Sequence, residues 1–185
     1  MFDAVTSFIG LCIIAPVLGV AALMIWLYDG CSPFYLAPRV GRGGKDFFQF
    51  KLRSMVVQPE GSKVVSTKED DPRITPAGHV IRRFKLDEIP QLWNVLRGDM
   101  SLVGPRPERP VFVEDFKKSV PKYMLRLKIK AGLTGWAQVN GWRGNTSLDK
   151  RIEFDLYYIK NWSLLFDLKI ILMTFWKGFI SPHAY

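Results

Sequence analysis

Between Asp3 and Asp29 the chain carries no charged residue. The uncharged run from Ala4 to Tyr28 is about 25 residues, roughly 37 Å as a straight helix, against a bilayer hydrocarbon core of about 30 Å. A cleaved signal peptide needs a basic start and a small-residue cleavage site before the polar part, and neither is found. The segment is therefore expected to stay in the membrane, which sets residues 1–30 apart from a second unit, 31–185. Pro16, near the middle of the run, removes one helical hydrogen bond and clashes with the preceding turn. Two forms accommodate it. A kinked helix can cross the bilayer, or two half-helices of about 12 residues, each roughly 18 Å long, can enter and leave by the same face. The residues alone favour the crossing form. In either, Arg39, Arg42, Lys45, Lys51 and Arg53 follow closely, and the positive-inside rule places the rest of the chain in the cytoplasm.

The formal charge of +9 admits nucleic acid, an anionic membrane surface or phosphate-rich substrates. Nucleic acid is the weakest of these, because the basic clusters flank membrane-like stretches and no recognition motif or stacking platform stands out. Cys12 and Cys31 form neither a disulfide framework nor a zinc site, and a reducing compartment follows as the simpler assumption. His79 and His183 are too few and too far apart for a histidine-based metal cluster.

The second unit reads as α+β and mostly α. Phe34 to Met55 predicts a small β-hairpin, with turn residues Gly41, Gly43 and Gly44. Its second strand alternates Phe48, Phe50 and Leu52 with Gln49, Lys51 and Arg53. Gln58 to Asp71 is polar, lacks periodicity and reads as a mobile loop. Thr75 as N-cap and Pro76 at the first helical position open a helix with Val80, Ile81 and Phe84 as its apolar stripe. Pro121 to Lys130 interleaves basic and apolar residues, as an interfacial helix does, although an ordinary surface helix explains it equally well. Trp162 to Ile180 is apolar but interrupted by Asp167, Lys169 and Lys177, which fits a helix at the interface or against the anchor better than a second span.

Chemistry concentrates in three segments. In Lys85 to Leu96, the residues Ile89, Leu92, Trp93 and Leu96 have the spacing of a buried helix face, and Pro90 belongs to a first turn. Asp87 and Glu88 then sit at the positive end of that helix, where amide groups favour a carboxylate and an approaching phosphate. Acidic residues there are usually only caps. Leu102 to Pro107 is a stiff loop in which two prolines flank Arg106, whose planar fork suits phosphate oxygens. A structural turn explains it as well. Ala131 to Gly141 is glycine-rich and reads by composition as a loop, with Gln138 and Asn140 as polar contacts for a sugar or base.

Taken together, these segments resemble the bacterial sugar transferases, also called monotopic phosphoglycosyl transferases. The resemblance runs nearly end to end. It rests on the apolar anchor with its proline, Phe50-Lys51-Leu52-Arg53-Ser54-Met55, Leu86-Asp87-Glu88-Ile89-Pro90-Gln91-Leu92, Gly98 to Pro107, and Gly135 to Gly141. It implies a nucleotide diphosphate sugar such as a UDP-sugar as donor, undecaprenyl phosphate as acceptor and Mg²⁺ as cofactor. It further implies a bacterial inner-membrane location with the catalytic unit on the cytoplasmic face, and it leaves a homodimer open.

By the same resemblance Asp87 is the nucleophile and a metal contact, with Glu88 its acid/base or positioning partner. Lys51, Arg53, Arg106, Gln138 and Asp155 are the expected substrate contacts. The family's broken helix also shifts the anchor reading to the re-entrant form, with Ala15 and Pro16 at the break. Two features depart from the family pattern: Ala15 stands where serine is common, and no basic residues precede Phe2-Asp3, as in a domain cut from a larger protein. Asn140-Gly141-Trp142-Arg143-Gly144 and the ending His183-Ala184-Tyr185 resemble members that transfer glucose-1-phosphate or galactose-1-phosphate and start capsule, exopolysaccharide or O-antigen synthesis.

Overall fold

A computed structural model describes residues 2–57, 71–144 and 146–180. The segment read as a mobile loop lies almost wholly outside them, as does the His183-Ala184-Tyr185 ending. The architecture is α+β and mostly helical. Helix α1 (Phe2–Asp29) comes first, followed by a hairpin of β1 (Phe34–Val40) and β2 (Asp46–Leu52). Next come α2 (Pro76–Arg83), a 3-10 turn (Leu86–Glu88), α3 (Gln91–Arg97), β3 (Met100–Val103) and α4 (Pro110–Ser119). A second 3-10 segment (Tyr123–Lys128) leads to β4 (Ala131–Thr134), α5 (Trp136–Val139), α6 (Leu148–Lys160) and α7 (Leu164–Ile180).

Helix α1 is apolar all round and continues through Ala15 and Pro16. Of its residues only Ser7, Ala21 and Ile25 are buried, the last two against Leu52 and Ile81. Both of its ends are tied to the rest of the chain. Ser101 at β3 donates to Asp3 at 2.7 Å. At the other end Arg53, just past β2, donates to both oxygens of Asp29 at 2.5 and 2.6 Å.

The hairpin forms where its composition places it. Phe34 pairs with Leu52 and Val40 with Asp46, and Gly43 and Gly44 take the positive φ of 70° and 78° that the tight reversal requires. Its alternation is only partly as expected: Gln49 turns inward at 2% exposed and Phe48 outward at 61%, while Leu52 of the apolar set is buried in the core. Helix α3 shows the same inversion. Gln91, Asn94 and Val95 are buried, whereas Trp93, expected on the buried face, is 49% exposed and Leu92 packs towards Gly10 of α1. The apolar stripe of α3 thus looks outward and at the anchor, because periodicity marks a face without saying what covers it.

The inward polar side chains bond across the seam, although the Gln91 amide nitrogen is buried without a partner. Asn94 accepts from the Phe50 amide at 2.9 Å and donates to the Phe48 carbonyl at 2.8 Å, and Gln49 donates to Gln91 at 2.8 Å. These bonds fix β2 on α3. In α2 the Thr75 cap accepts from Gly78 as expected, but only Ile81 of its stripe is buried; Val80 and Phe84 are exposed.

The segment Ala131 to Thr134, read as loop, is a strand parallel to β3. Its glycines explain the pairing: a Cβ on Gly132 would strike the Gly104 backbone, and one on Gly135 the Gly104 carbonyl. Only glycine lets the chains approach so closely. Gly104 donates to Thr134 at 2.8 Å and Gly132 to Pro105 at 2.9 Å, which extends the pairing into the Pro105-Arg106-Pro107 loop. The basic stretch near Tyr123 also differs from expectation. It is a 3-10 segment, and Arg126 in it is 2% exposed, turned inward towards Asp155 rather than out to headgroups or solvent. Helix α7 packs on β3, β4 and α5 through Ile170, and leaves Leu165, Leu172, Phe175 and Trp176 facing outward.

Candidate active site

The turn between α2 and α3 is built by one unusual residue. Lys85 has φ 55°, the sole non-glycine residue of positive φ among the described ones, and its carbonyl accepts from the Glu88 amide at 3.2 Å. That reversal starts the 3-10 turn Leu86–Glu88, and Pro90 then begins α3 where a missing amide proton costs nothing. Asp87 and Glu88 are therefore presented just ahead of α3 rather than within it.

These neighbouring carboxylates have opposite surroundings. Glu88 accepts from Lys51 of β2 at 2.9 Å and from Arg106 at 2.5 Å. Burial works to raise the Glu88 carboxyl, but Arg106 and Lys51 outweigh it and hold the group well below the usual carboxylate range. Asp87 accepts no hydrogen bond and joins no ion pair among the described residues. Burial, then the Glu88 charge, push the Asp87 carboxyl above its ordinary value. One carboxylate is locked and ionised; the other is held back from solvent and free.

Arg106 is placed by several elements. Its NH1 donates to Gln138 of α5 at 3.2 Å, and its carbonyl accepts from Arg126 at 2.9 Å. Arg126 in turn pairs with Asp155 of α6 at 2.8 Å, both side chains almost wholly buried. Further along the loop, Glu108 pairs with Arg151 at 2.6 Å and its carbonyl accepts from the Val40 amide at 3.0 Å. The Glu88 charge raises the Arg106 guanidinium above its ordinary value.

Of the residues expected from sequence, Asp87, Glu88, Lys51, Arg106 and Gln138 converge. Asp155 stands one residue behind them, holding Arg126. Arg53 is elsewhere, its guanidinium wholly engaged by Asp29, the Ser32 carbonyl and the Cys31 carbonyl at the end of α1. Asn140 folds back to donate to the Trp136 carbonyl at 2.8 Å, stabilising its own turn.

Further cations border the cluster: Arg82 acts on Asp87, Arg39 feels Arg106, and Lys85 and Arg143 lie on the flanking turns. Lys85 and Arg143 are both half-buried, and each is pushed below its ordinary value by burial and then by neighbouring positive charge. Sequence reasoning singled out neither as a site residue. The αL conformation of Lys85 depends on a tertiary setting, and Arg143 was read only as part of the motif that marks a sugar subgroup. Among the described residues there is no group of three or more His, Cys, Asp or Glu able to enclose a metal by themselves. Mg²⁺, however, commonly takes one or two carboxylates and completes its shell with water and substrate phosphates. The free Asp87 carboxylate fits that pattern; Glu88, saturated by two cations, does not.

The family model for bacterial sugar transferases matches residues 1–181. The chain belongs to that family. Among relatives of this bacterial sugar transferase is the UDP-glucose:undecaprenyl-phosphate glucose-1-phosphate transferase of Escherichia coli K12, 44% identical over 99% of this chain and 40% of the relative. The Caulobacter vibrioides transferase of the same description is 40% identical over 100% of this chain and 71% of the relative. A third, from Aeromonas hydrophila, is a UDP-N-acetylgalactosamine-undecaprenyl-phosphate N-acetylgalactosaminephosphotransferase, 40% identical over 93% of this chain and 41% of the relative. The sugar transferase chain thus spans about two-fifths of the length of the first of these curated relatives.

Proposed function

We propose that this chain transfers hexose-1-phosphate, glucose or galactose, from a UDP-sugar to undecaprenyl phosphate through a covalent intermediate on Asp87. The observation that carries the reading is the unequal carboxylate pair: Asp87 unpartnered and half-buried, beside a Glu88 clamped by Lys51 and Arg106. In the first step an ionised Asp87 oxygen attacks the phosphorus bearing the sugar. A new P–O bond forms, the bond from that phosphorus to the bridging oxygen breaks, and UMP departs with the electron pair. In the second step an oxygen of the lipid phosphate attacks the same phosphorus and expels the Asp87 carboxylate, restoring the site. Two displacements through an acyl phosphate divide one difficult transfer into easier parts.

Glu88 acts here by position. Held ionised well below the carboxylate range, it has no proton to give at neutral pH, and UMP leaves as a stable phosphate monoester without one. Its work is to hold Lys51 and Arg106 where charge develops on the phosphoryl oxygens. Mg²⁺, bound by Asp87 together with donor phosphates, would offset the repulsion between carboxylate and diphosphate. Gln138 keeps the Arg106 fork in its plane, and the Arg126–Asp155 pair fixes the backbone that carries it.

For the anchor we favour a re-entrant placement in the inner membrane, with the catalytic unit on the cytoplasmic face. In it α1 dips into the bilayer as a continuous helix and not as two separate halves, with both ends at that face. A crossing helix separates its ends by the bilayer, whereas Asp3 and Asp29 are both bonded to this one catalytic unit. The basic residues after Asp29 support the cytoplasmic side. Such a transfer is the first membrane step of exopolysaccharide, capsule or O-antigen synthesis.

The decisive test traps sugar-labelled phosphate on the protein. The wild-type chain in lipid nanodiscs, given UDP-sugar carrying label in the sugar-bearing phosphate, is expected to release UMP and retain label on Asp87. Asp87→Asn is expected to do neither. Label-free wild-type protein that still makes lipid product would replace the covalent route by direct attack of the lipid phosphate.

A further inference from the structure

The charges at the site leave a remainder. Lys51 and Arg106 are balanced by Glu88 and by the ionised Asp87, so those four groups together contribute no net charge. Arg82, which acts on Asp87, stands beside them, as do Lys85 and Arg143. Lys85 and Arg143 have no hydrogen-bonded or ion-paired side-chain partner among the described residues. Both are half-buried, the Arg143 charge bears on Lys85, and each also feels Arg106. Cations that merely solubilise a surface spread into water, where such repulsion is screened.

Backbone geometry places both. Lys85 begins the turn that presents Asp87, at a φ of 55° that a side-chain-bearing residue adopts only at a cost. Arg143 closes the α5 turn: the Gly141 amide donates to Gln138 and the Arg143 amide to Gly141, so the residue hangs from the same turn that orients Arg106. Two cations are thus mounted on the two segments that carry the nucleophile and the Arg106 support.

We propose that Lys85 and Arg143 form a second phosphate subsite, which takes the phosphate of the departing nucleoside monophosphate. The inference rests on the reading given above. A diphosphate donor brings two negative charges, and the first step moves a further charge onto the leaving phosphate as its P–O bond breaks. Lys51 and Arg106 face the phosphoryl group under attack, and Lys85 with Arg143 supply the matching positive charge for its partner. The strained lysine is retained because its ammonium is needed at that turn.

The strain provides a clean test. Lys85→Gly suits φ 55° better than lysine and is expected to fold at least as stably as wild type. With the full chain in nanodiscs, UMP affinity measured by calorimetry is expected to fall about tenfold in Lys85→Gly and again in Arg143→Met, as loss of a charge-assisted contact implies. Arg143→Lys is expected to recover most of it. The KM for undecaprenyl phosphate stays unchanged, and labelled Asp87 adduct still forms, more slowly. UMP binding as tight as wild type in both variants overturns the inference and leaves the pair as solvated cations. A raised KM for undecaprenyl phosphate with UMP affinity intact also overturns it, reassigning the subsite to the lipid phosphate. Failure of wild type to retain any label strikes the covalent reading instead, independently of the UMP result.

Discussion

The seam between β2 and α3 and the outer surface of α1 and α7 invert the usual arrangement of a soluble domain. In the seam, Gln49 and Asn94 are 2% and 0% exposed and satisfy each other's elements by hydrogen bonds. On the outside, Ile13 is 73% exposed and Leu165 is 77% exposed. Water would penalise that exterior, whereas hydrocarbon does not. The contrast teaches that burial here follows the demands of the site, which needs fixed polar groups, and not hydrophobicity alone. Apolar residues are left on the outer surface, and polar ones are drawn inward, where they join α3 to the hairpin that carries Lys51.

The interior side of that contrast is the costlier to disturb. Arg126→Met removes one member of an ion pair whose side chains are 2% and 3% exposed, stranding the Asp155 charge. Loss of one partner from a buried pair destabilises by about 3–5 kcal/mol. Thermal unfolding in detergent is expected to show a fall of that order, with transfer activity lost as the Arg106 carbonyl loses its donor. Little change in either would mean the polar interior is incidental.

Asn94→Leu comes next. It keeps volume but leaves the Phe50 amide and the Phe48 carbonyl without partners, a loss of about 2–3 kcal/mol. Replacing Gln49 and Gln91 together by leucine removes both members of one bond and is expected to cost less than Asn94→Leu alone. Unfolding midpoints of the two variants check the order, and the reverse order would show that the backbone contacts of Asn94 are not what joins hairpin to helix.

How much of this was legible depends on the kind of information each residue carries. The anchor, the hairpin and the Thr75 cap are local signals, and they appear where the chain announces them. That Asp87, Glu88 and Arg106 come together was readable because turn chemistry and a family motif coincide there. The faces of α3 were not. Ile89, Leu92 and Trp93 do form a stripe, but a pattern records that a face is apolar, and only the neighbouring element decides whether protein or lipid meets it. Strand β4 was missed because its glycines read as loop; they serve instead to let the backbone of Gly104 approach. Arg126 and Asp155 are 29 residues apart in sequence, and nothing local marks a basic residue in a basic stretch as the one that turns inward.

The exterior half of the comparison predicts a change in partitioning rather than in stability. Leu172→Gln with Phe175→Gln alters two side chains of α7 that are 69% and 64% exposed. Surface substitutions of this kind usually change stability within about 0.5 kcal/mol. Unfolding in detergent is expected to be near wild type, while the share of protein recovered with liposomes on flotation falls. If flotation is unchanged, this surface of α7 faces water and the inversion is confined to α1.

The smallest effect tests Asp87, the half-buried carboxyl that has no hydrogen-bonded or ion-paired partner among the described residues. Burial and Glu88 raise the Asp87 carboxyl, so the folded chain holds that proton more tightly than the unfolded chain does. A carboxyl raised on folding lowers stability as pH climbs from the ordinary carboxylate range through its folded value, and the cost is then constant at higher pH. Asp87→Asn abolishes the cost. It is expected to raise the unfolding midpoint at neutral pH, and the advantage should vanish below the ordinary carboxylate range. The opposite pH profile applies to catalysis, since attack needs the ionised form and the wild-type rate falls as pH drops through the raised value. A variant less stable than wild type at neutral pH would mean that Asp87 is held by a favourable contact, and the unequal pair on which the proposed nucleophile rests would be gone.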